Sequence, residues 1–197
     1  MTIAQNEKVK IINRDLNKLL DSFVAEWENA RNKSWNEYIT ALPAGSRLPA
    51  MQDTIVRQED RAAFLEKAVE YFNKADVLIN SGRSMIIDEL TKAPSEEAVR
   101  TIEMLKLREN ISDIELKSLM DKYGDNPQTY NAIRSIAQKQ ERFIFPENIF
   151  DAELNRVDIC RDNLRAFFNA TGSKTVGRAY FVKMVIDEAF PAEGLLV

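Results

Sequence analysis

The side chains that most enzymes use for proton transfer and metal binding are scarce in this sequence, which has no histidine and one cysteine, Cys160. Without histidine, a Ser-His-Asp triad, a Cys-His dyad and the histidine-containing zinc and di-iron helix motifs cannot be assembled. One thiol cannot build a cysteine-only metal site either. Carboxylates, lysines, arginines and tyrosines remain. Glu66 with Glu70, and Asp158 with Asp162, are spaced i and i+4, so each pair shares a helix face. Such a pair can divide acid and base roles when burial separates the two pKa values, but solvated helix faces carry it routinely. No catalytic residue is assigned on that basis.

Other motifs fall short of their chemistry. Gly172-Ser173-Lys174-Thr175 resembles a phosphate loop in composition, yet a serine separates glycine from lysine and Phe167 stands five residues before Gly172. A turn between helices is the ordinary reading. The stretch from Asp121 to Asn126 lacks the alternating ligands and closing glutamate of a calcium loop, so no metal is expected. Cys160 has Arg156 and Arg161 near it in sequence, but a lone structural cysteine is the reading, since a thiolate needs a cationic or helix-start environment. Asp158, Arg161, Asp162 and Arg165 form a charge ladder suited to an exposed helix face. Arg161, Arg165, Lys174 and Arg178 are the best anion-binding set the chain offers.

Composition narrows the class further. Charged residues make up 29% of the 197, and the net charge is −4 with no basic tail or stripe. Non-specific nucleic-acid binding depends on neutralising phosphates, so nucleic acid is not an expected partner. One cysteine points to a reducing compartment. The start, MTIAQNEKVK, has no apolar signal core, and no run approaches about 20 apolar residues, so a cytoplasmic chain without a membrane partner is expected. No cofactor and no small-molecule substrate is evident.

Six glycines and six prolines are few for an all-β protein, and the periodicity is helical throughout. Val9, Ile12, Leu16, Leu19, Phe23, Trp27 and Ala30, then Trp35, Tyr38 and Leu42, step by three and four until Pro43. A second long helix is expected from near Asp53, with Val56, Ala62, Leu65, Val69, Phe72, Ile79, Ile86 and Leu90 inward and Gly82 as a close-packing point on the seam. Pro94 ends it. Shorter helices follow. Ser95 opens one, and Ser112-Asp113-Ile114-Glu115 reads as a capping box for the next. Gly124 suits a left-handed exit, and Asn126-Pro127 reads as cap and first-turn proline. An aromatic connector, Phe143-Ile144-Phe145-Pro146, precedes a helix from about Asp151 that stops at Gly172. The final element runs from about Thr175 to Phe190. Its Tyr180-Phe181-Val182 run would suit a strand, but helix is preferred. A short apolar tail, Gly194-Leu195-Leu196-Val197, ends the chain.

The expected fold is therefore all-α, with a long antiparallel helical hairpin over residues 1–93 and a compact helical subdomain over 94–197. A helix of ~35 residues is on the order of 50 Å long, against roughly 40 Å for the diameter of a compact domain of this size. That mismatch suggests an uncovered stripe, and Phe23, Trp27, Trp35 and Tyr38 are its candidate partner-binding residues. The expected function is a non-enzymatic protein–protein interaction or assembly factor that binds a protein partner or itself. Two alternatives stand beside it: an inhibitor of a host enzyme or defence complex, and an enzyme working with Asp, Glu, Lys or Tyr.

From Leu105 to Lys139 the text LKLRENISDIELKSLMDKYGDNPQTYNAIRSIAQK resembles segments of small helical proteins encoded by bacteriophages and prophages. The resemblance covers about a sixth of the chain and rests on capped amphipathic helices. It implies a phage-encoded accessory or morphogenesis protein of the host cytoplasm or virion, and it assigns no site residue.

Overall fold

The computed structural model describes residues 3–47, 58–141, 149–169 and 174–193. These residues form seven α-helices and no strand: α1 (Ile3–Ala41), α2 (Gln58–Leu90), α3 (Glu96–Lys106), α4 (Asp113–Tyr123), α5 (Pro127–Lys139), α6 (Ile149–Phe168) and α7 (Lys174–Ala189). The protein is all-α. Tyr180-Phe181-Val182 lies inside α7, and α2 runs unbroken through Gly82. The expected helix start at Asp53, Val56, the 143–146 connector, Gly172-Ser173 and the 194–197 tail lie outside the described residues.

Local chemistry sets the helix ends between residues 95 and 141. The Ser95, Ser112 and Asn126 side chains accept the backbone N–H of Ala98, Glu115 and Thr129 at 3.2, 3.2 and 3.1 Å. Each satisfies a donor the first helical turn leaves open. The expected capping box is only half made. Glu115 does not reach back to the Ser112 backbone but takes both amino nitrogens of Arg108, the second at 3.1 Å. A guanidinium offers the carboxylate two bonds and a full positive charge where the amide offers one bond from a neutral donor. The left-handed exit expected at Gly124 is also corrected, since its φ is −69°. A Cβ there would meet Met120 Sδ at 2.9 Å, so the glycine provides space. Positive φ occurs instead at Gly45 (87°), after α1, and at Glu141 (59°), after α5.

The chain divides into two compact units, one of residues 3–82 with 156–195 and one of residues 83–155. The expected boundary at residue 93 is replaced by crossings inside α2, after Gly82, and inside α6, after Asn155. The chain from residue 156 groups with α1 and early α2.

The 3–82/156–195 unit is built on aromatic rings. The Phe23 ring centroid lies 4.7 Å from Phe64, 5.5 Å from Tyr71, 5.6 Å from Phe167 and 4.8 Å from Phe168. Trp27 lies 4.8 Å from Phe64. Such edge and tilted pairs add to the apolar area they bury. Ile12 on α1 approaches Gly82 on α2 while Trp27 meets Phe64, so the two helices run in opposite directions.

The buried face of α2 departs from the expected one only in its first half, since Ile79, Gly82, Ile86 and Leu90 are buried as expected. Phe64, Ala68, Ala75 and Ile79 are buried with Gly82, whereas Ala62, Leu65 and Val69 are exposed and Phe72 is half-buried. Small residues win this face because they leave room for the rings of α1 and α6. A Cβ on Gly82 would stand 2.9 Å from Phe190 Cζ, with Phe190 Cε1 closer still, and 3.3 Å from Ile12 Cδ1. α7 is pinned to α1 by buried Asn13, whose Nδ2 donates to Asp187 Oδ1 at 2.7 Å and to the Phe190 carbonyl at 2.6 Å. Lys183 pairs with Asp21 at 2.7 Å.

The 83–155 unit has an aliphatic core of Ile102, Leu105, Ile111, Leu116, Ile133, Ile136 and Ala137, drawn from α3, α4, α5 and the loop before α4. Asn126 Nδ2 donates to the Lys92 carbonyl at 2.9 Å and Gln128 Nε2 to the Thr91 carbonyl at 2.7 Å, tying the start of α5 to the end of α2. Gln140 accepts from the Ile111 N–H at 3.3 Å, holding the loop between α3 and α4.

Candidate interaction surface

Among the described residues, the chemical candidates of the sequence are not brought together in a reactive centre. Glu66 and Glu70 lie on an exposed face of α2, and Asp158 and Asp162 on an exposed face of α6. Cys160 is buried, and burial pushes its thiol up to about 12, so it stays protonated near neutral pH. Among the described residues, no three His, Cys, Asp or Glu side chains are placed to hold a metal ion.

The proposed basic set is dispersed among other tasks. Arg161 pairs with Asp76 across α6 and α2, with contacts of 2.6 and 3.1 Å. Arg165 lies over the Phe72 ring at 5.1 Å. Arg178 is exposed on α7, and the side chain of Lys174 falls outside the described residues. Two of the four cations are thus already engaged within the chain.

Tyrosine and lysine chemistry is likewise spent on helix–helix ties. Glu26 accepts from Lys67 at 2.9 Å and from the Tyr71 hydroxyl at 2.7 Å. The Lys67 hydrogen bond, then that of Tyr71, holds the Glu26 carboxyl below its usual value. Burial, then the bond to Glu26, pushes Tyr71 up to about 12, away from what a catalytic base needs. Glu97 receives Lys122 at 2.9 Å and Tyr123 at 2.8 Å in the same manner. These clusters join α1 to α2 and α3 to α4.

The aromatic stripe of α1 splits into two parts. Phe23 and Trp27 are core residues, enclosed by Phe64, Tyr71, Phe167 and Phe168, so their assignment to a docking surface is corrected. A long helix does not imply an open stripe when α2, α6 and α7 all return to cover it. Trp35 and Tyr38 stack with centroids 6.3 Å apart and are half-buried.

Among the described residues, one apolar surface that the structure presents lies on α7. Tyr180, Phe181 and Met184 are 74%, 54% and 48% exposed. Val182, Val185, Ile186 and Ala189 on the opposite side are buried. At positions i, i+1 and i+4 the three exposed residues share the outward half of the helix. The signal was present in the Tyr180-Phe181-Val182 run, since a helix apolar on both faces looks like neither a surface helix nor a strand. In the other unit, Met104, Leu107 and Ile114 are exposed around the turn between α3 and α4. A depression of about 650 Å³ there is lined by Leu105, Lys106, Arg108, Asn131, Ser135 and Lys139, and Arg108 is held by Glu115.

No helix of the described residues is long and apolar enough to cross a membrane. Comparison with protein-family models, curated proteins and solved structures finds no match.

Proposed function

We propose that this chain is a non-enzymatic interaction or assembly protein that docks through apolar side chains on its helix surfaces. The observation that carries the reading is the outward display of Tyr180, Phe181 and Met184 on a helix already anchored to α1 by its other side. Aromatic residues and methionine are the types enriched at protein interfaces, and contiguous exposed apolar patches mark such sites. Burial of the cysteine, the raised Tyr71 and the engaged arginines favour this role over carboxylate, lysine or tyrosine catalysis. The resemblance of residues 105–139 to bacteriophage-encoded helical proteins supports an accessory or morphogenesis role.

The test is hydroxyl-radical footprinting of the chain, dilute and purified, against the same chain in the cells that make it. A docking role predicts that Tyr180, Phe181 and Met184 are modified in the dilute protein and protected in the cell. Equal modification in both settings contradicts it.

A further inference from the structure

The depression of about 650 Å³ in the 83–155 unit lies between the end of α3 and one side of α5. Asn131, Ser135 and Lys139 follow one another at intervals of four along α5, so they line it in a row. Lys106, the last residue of α3, lines it as well. None of these four side chains makes a hydrogen bond or ion pair among the described residues. The lysines are not needed to close the helix ends either. The Met104 and Leu105 carbonyls accept from the N–H groups of Leu107 and Arg108, and the Ala137 and Gln138 carbonyls from those of Gln140 and Glu141. Between the two walls, Leu105, Ala132 and Ile136 bring the edge of the aliphatic core to the surface as a floor. Gln140 ties the walls together, accepting from the Ile111 N–H at 3.3 Å and donating to the Glu109 carbonyl at 3.4 Å. The shape is thus held without a ligand.

We infer that this depression binds a carboxylate carried on an aliphatic body. Lys106 and Lys139 bring two positive charges to it and Glu109 brings one negative charge. Arg108 has its charge met by Glu115. The balance is one positive charge, which matches a monoanion better than a phosphate dianion. Ammonium, amide and hydroxyl donors suit the oxygens of a carboxylate, with the charged donors giving the stronger bonds. The floor takes the aliphatic body by apolar burial. Small-molecule sites occupy roughly 300–1,000 Å³, and this depression falls within that range. Two sources carry the chemistry: a free medium-chain fatty acid, or the C-terminal residue of a protein that ends in an aliphatic side chain. The site lies in a different unit from the α7 face and does not depend on the docking role proposed above.

Calorimetric titration of the full chain with octanoate and with N-acetyl-leucyl-leucine tests the site. At least one of the two is expected to bind saturably, one molecule per chain, and the tighter one identifies the source. Acetate and octanol should not bind, since each lacks half of the recognised chemistry. Lys106→Glu and Lys139→Glu change exposed positions, so both variants should keep the wild-type helical signal. Each should weaken binding on the order of tenfold, because a like charge then faces the carboxylate. Amide chemical shifts should move at the end of α3 and along α5, and stay in place on α7. Failure of both ligands to saturate, binding that survives both lysine reversals, or shifts confined to α7 overturns the site.

Discussion

The two units solve the same problem with different means. In residues 83–155, short helices are started by side chains within three positions of the backbone they cap, and an aliphatic core closes over them. In residues 3–82 with 156–195, long helices from distant parts of the chain meet around aromatic rings, with Phe23 touching four of them. The first unit is assembled mainly from local instructions, the second from non-local fit. Both use a carboxylate that takes one lysine and one tyrosine from a neighbouring helix, Glu26 in one and Glu97 in the other. What separates them is how much of the core depends on a single side chain.

The largest effect is therefore expected at Phe23. Phe23→Ala removes the hub of the ring cluster and should cost about 3–5 kcal/mol by chemical denaturation. Hydrogen exchange should show α1, α6 and α7 losing protection before α3–α5. Equal loss everywhere would erase the distinction between the units.

Gly82→Ala comes next. Its Cβ must displace the Phe190 ring, so overpacking should cost about 1–3 kcal/mol, with a Phe190→Leu background recovering part of it. A stabilising Gly82→Ala, as helix propensity alone would give, would show that α1, α2 and the end of α7 do not pack as closely as described.

Ser112→Ala tests the locally instructed unit. It removes one cap and should cost about 1 kcal/mol, with exchange quickened in the first turn of α4. Glu141→Gly acts in the opposite direction. It relieves a non-glycine residue at φ 59° and should raise stability by about 0.5 kcal/mol in a thermal melt.

The smallest effect is a pH dependence. The folded state holds the Glu26 carboxyl below its ordinary value through Lys67 and Tyr71. Its contribution is present above the unfolded pKa and is lost as pH falls through the lowered folded value. Because Glu26 is partly exposed, solvent screening keeps that contribution small. Glu26→Gln should be slightly less stable than wild type at neutral pH, and the gap should close in acid melts below the ordinary carboxylate range. A gap that widens in acid would reverse the assigned cause.

These contrasts also explain what could be read from the sequence. The all-α class, the continuity of α2 through Gly82, and the caps at Ser95, Ser112 and Asn126 were legible because each is decided within a few residues. The second half of the Ser112 capping box was not, since Arg108 competes for Glu115. The inward face of α2 was legible from Ile79 to Leu90 but misplaced onto Leu65 and Val69 before it, because periodicity weighs large side chains and passes over alanine. Ala68, Ala75 and Gly82 matter by being small against rings supplied from far along the chain. Phe23 and Trp27 were recognisable as an apolar stripe, but only the return of α6 and α7 decides that the stripe is core. For the same reason the exposed face of α7 was hidden: one apolar side had to be assigned to the core before the other could be seen as surface.

The most direct measurement compares two pairs of aromatic residues in one dilute, folded sample. Mass spectrometry after brief radical oxidation should find Tyr180 and Phe181 heavily modified and Phe23 and Trp27 untouched until the chain is unfolded. Protection of Tyr180 and Phe181 equal to that of Phe23 and Trp27 at every dilution would mean that the chain already covers its α7 face, contradicting the account.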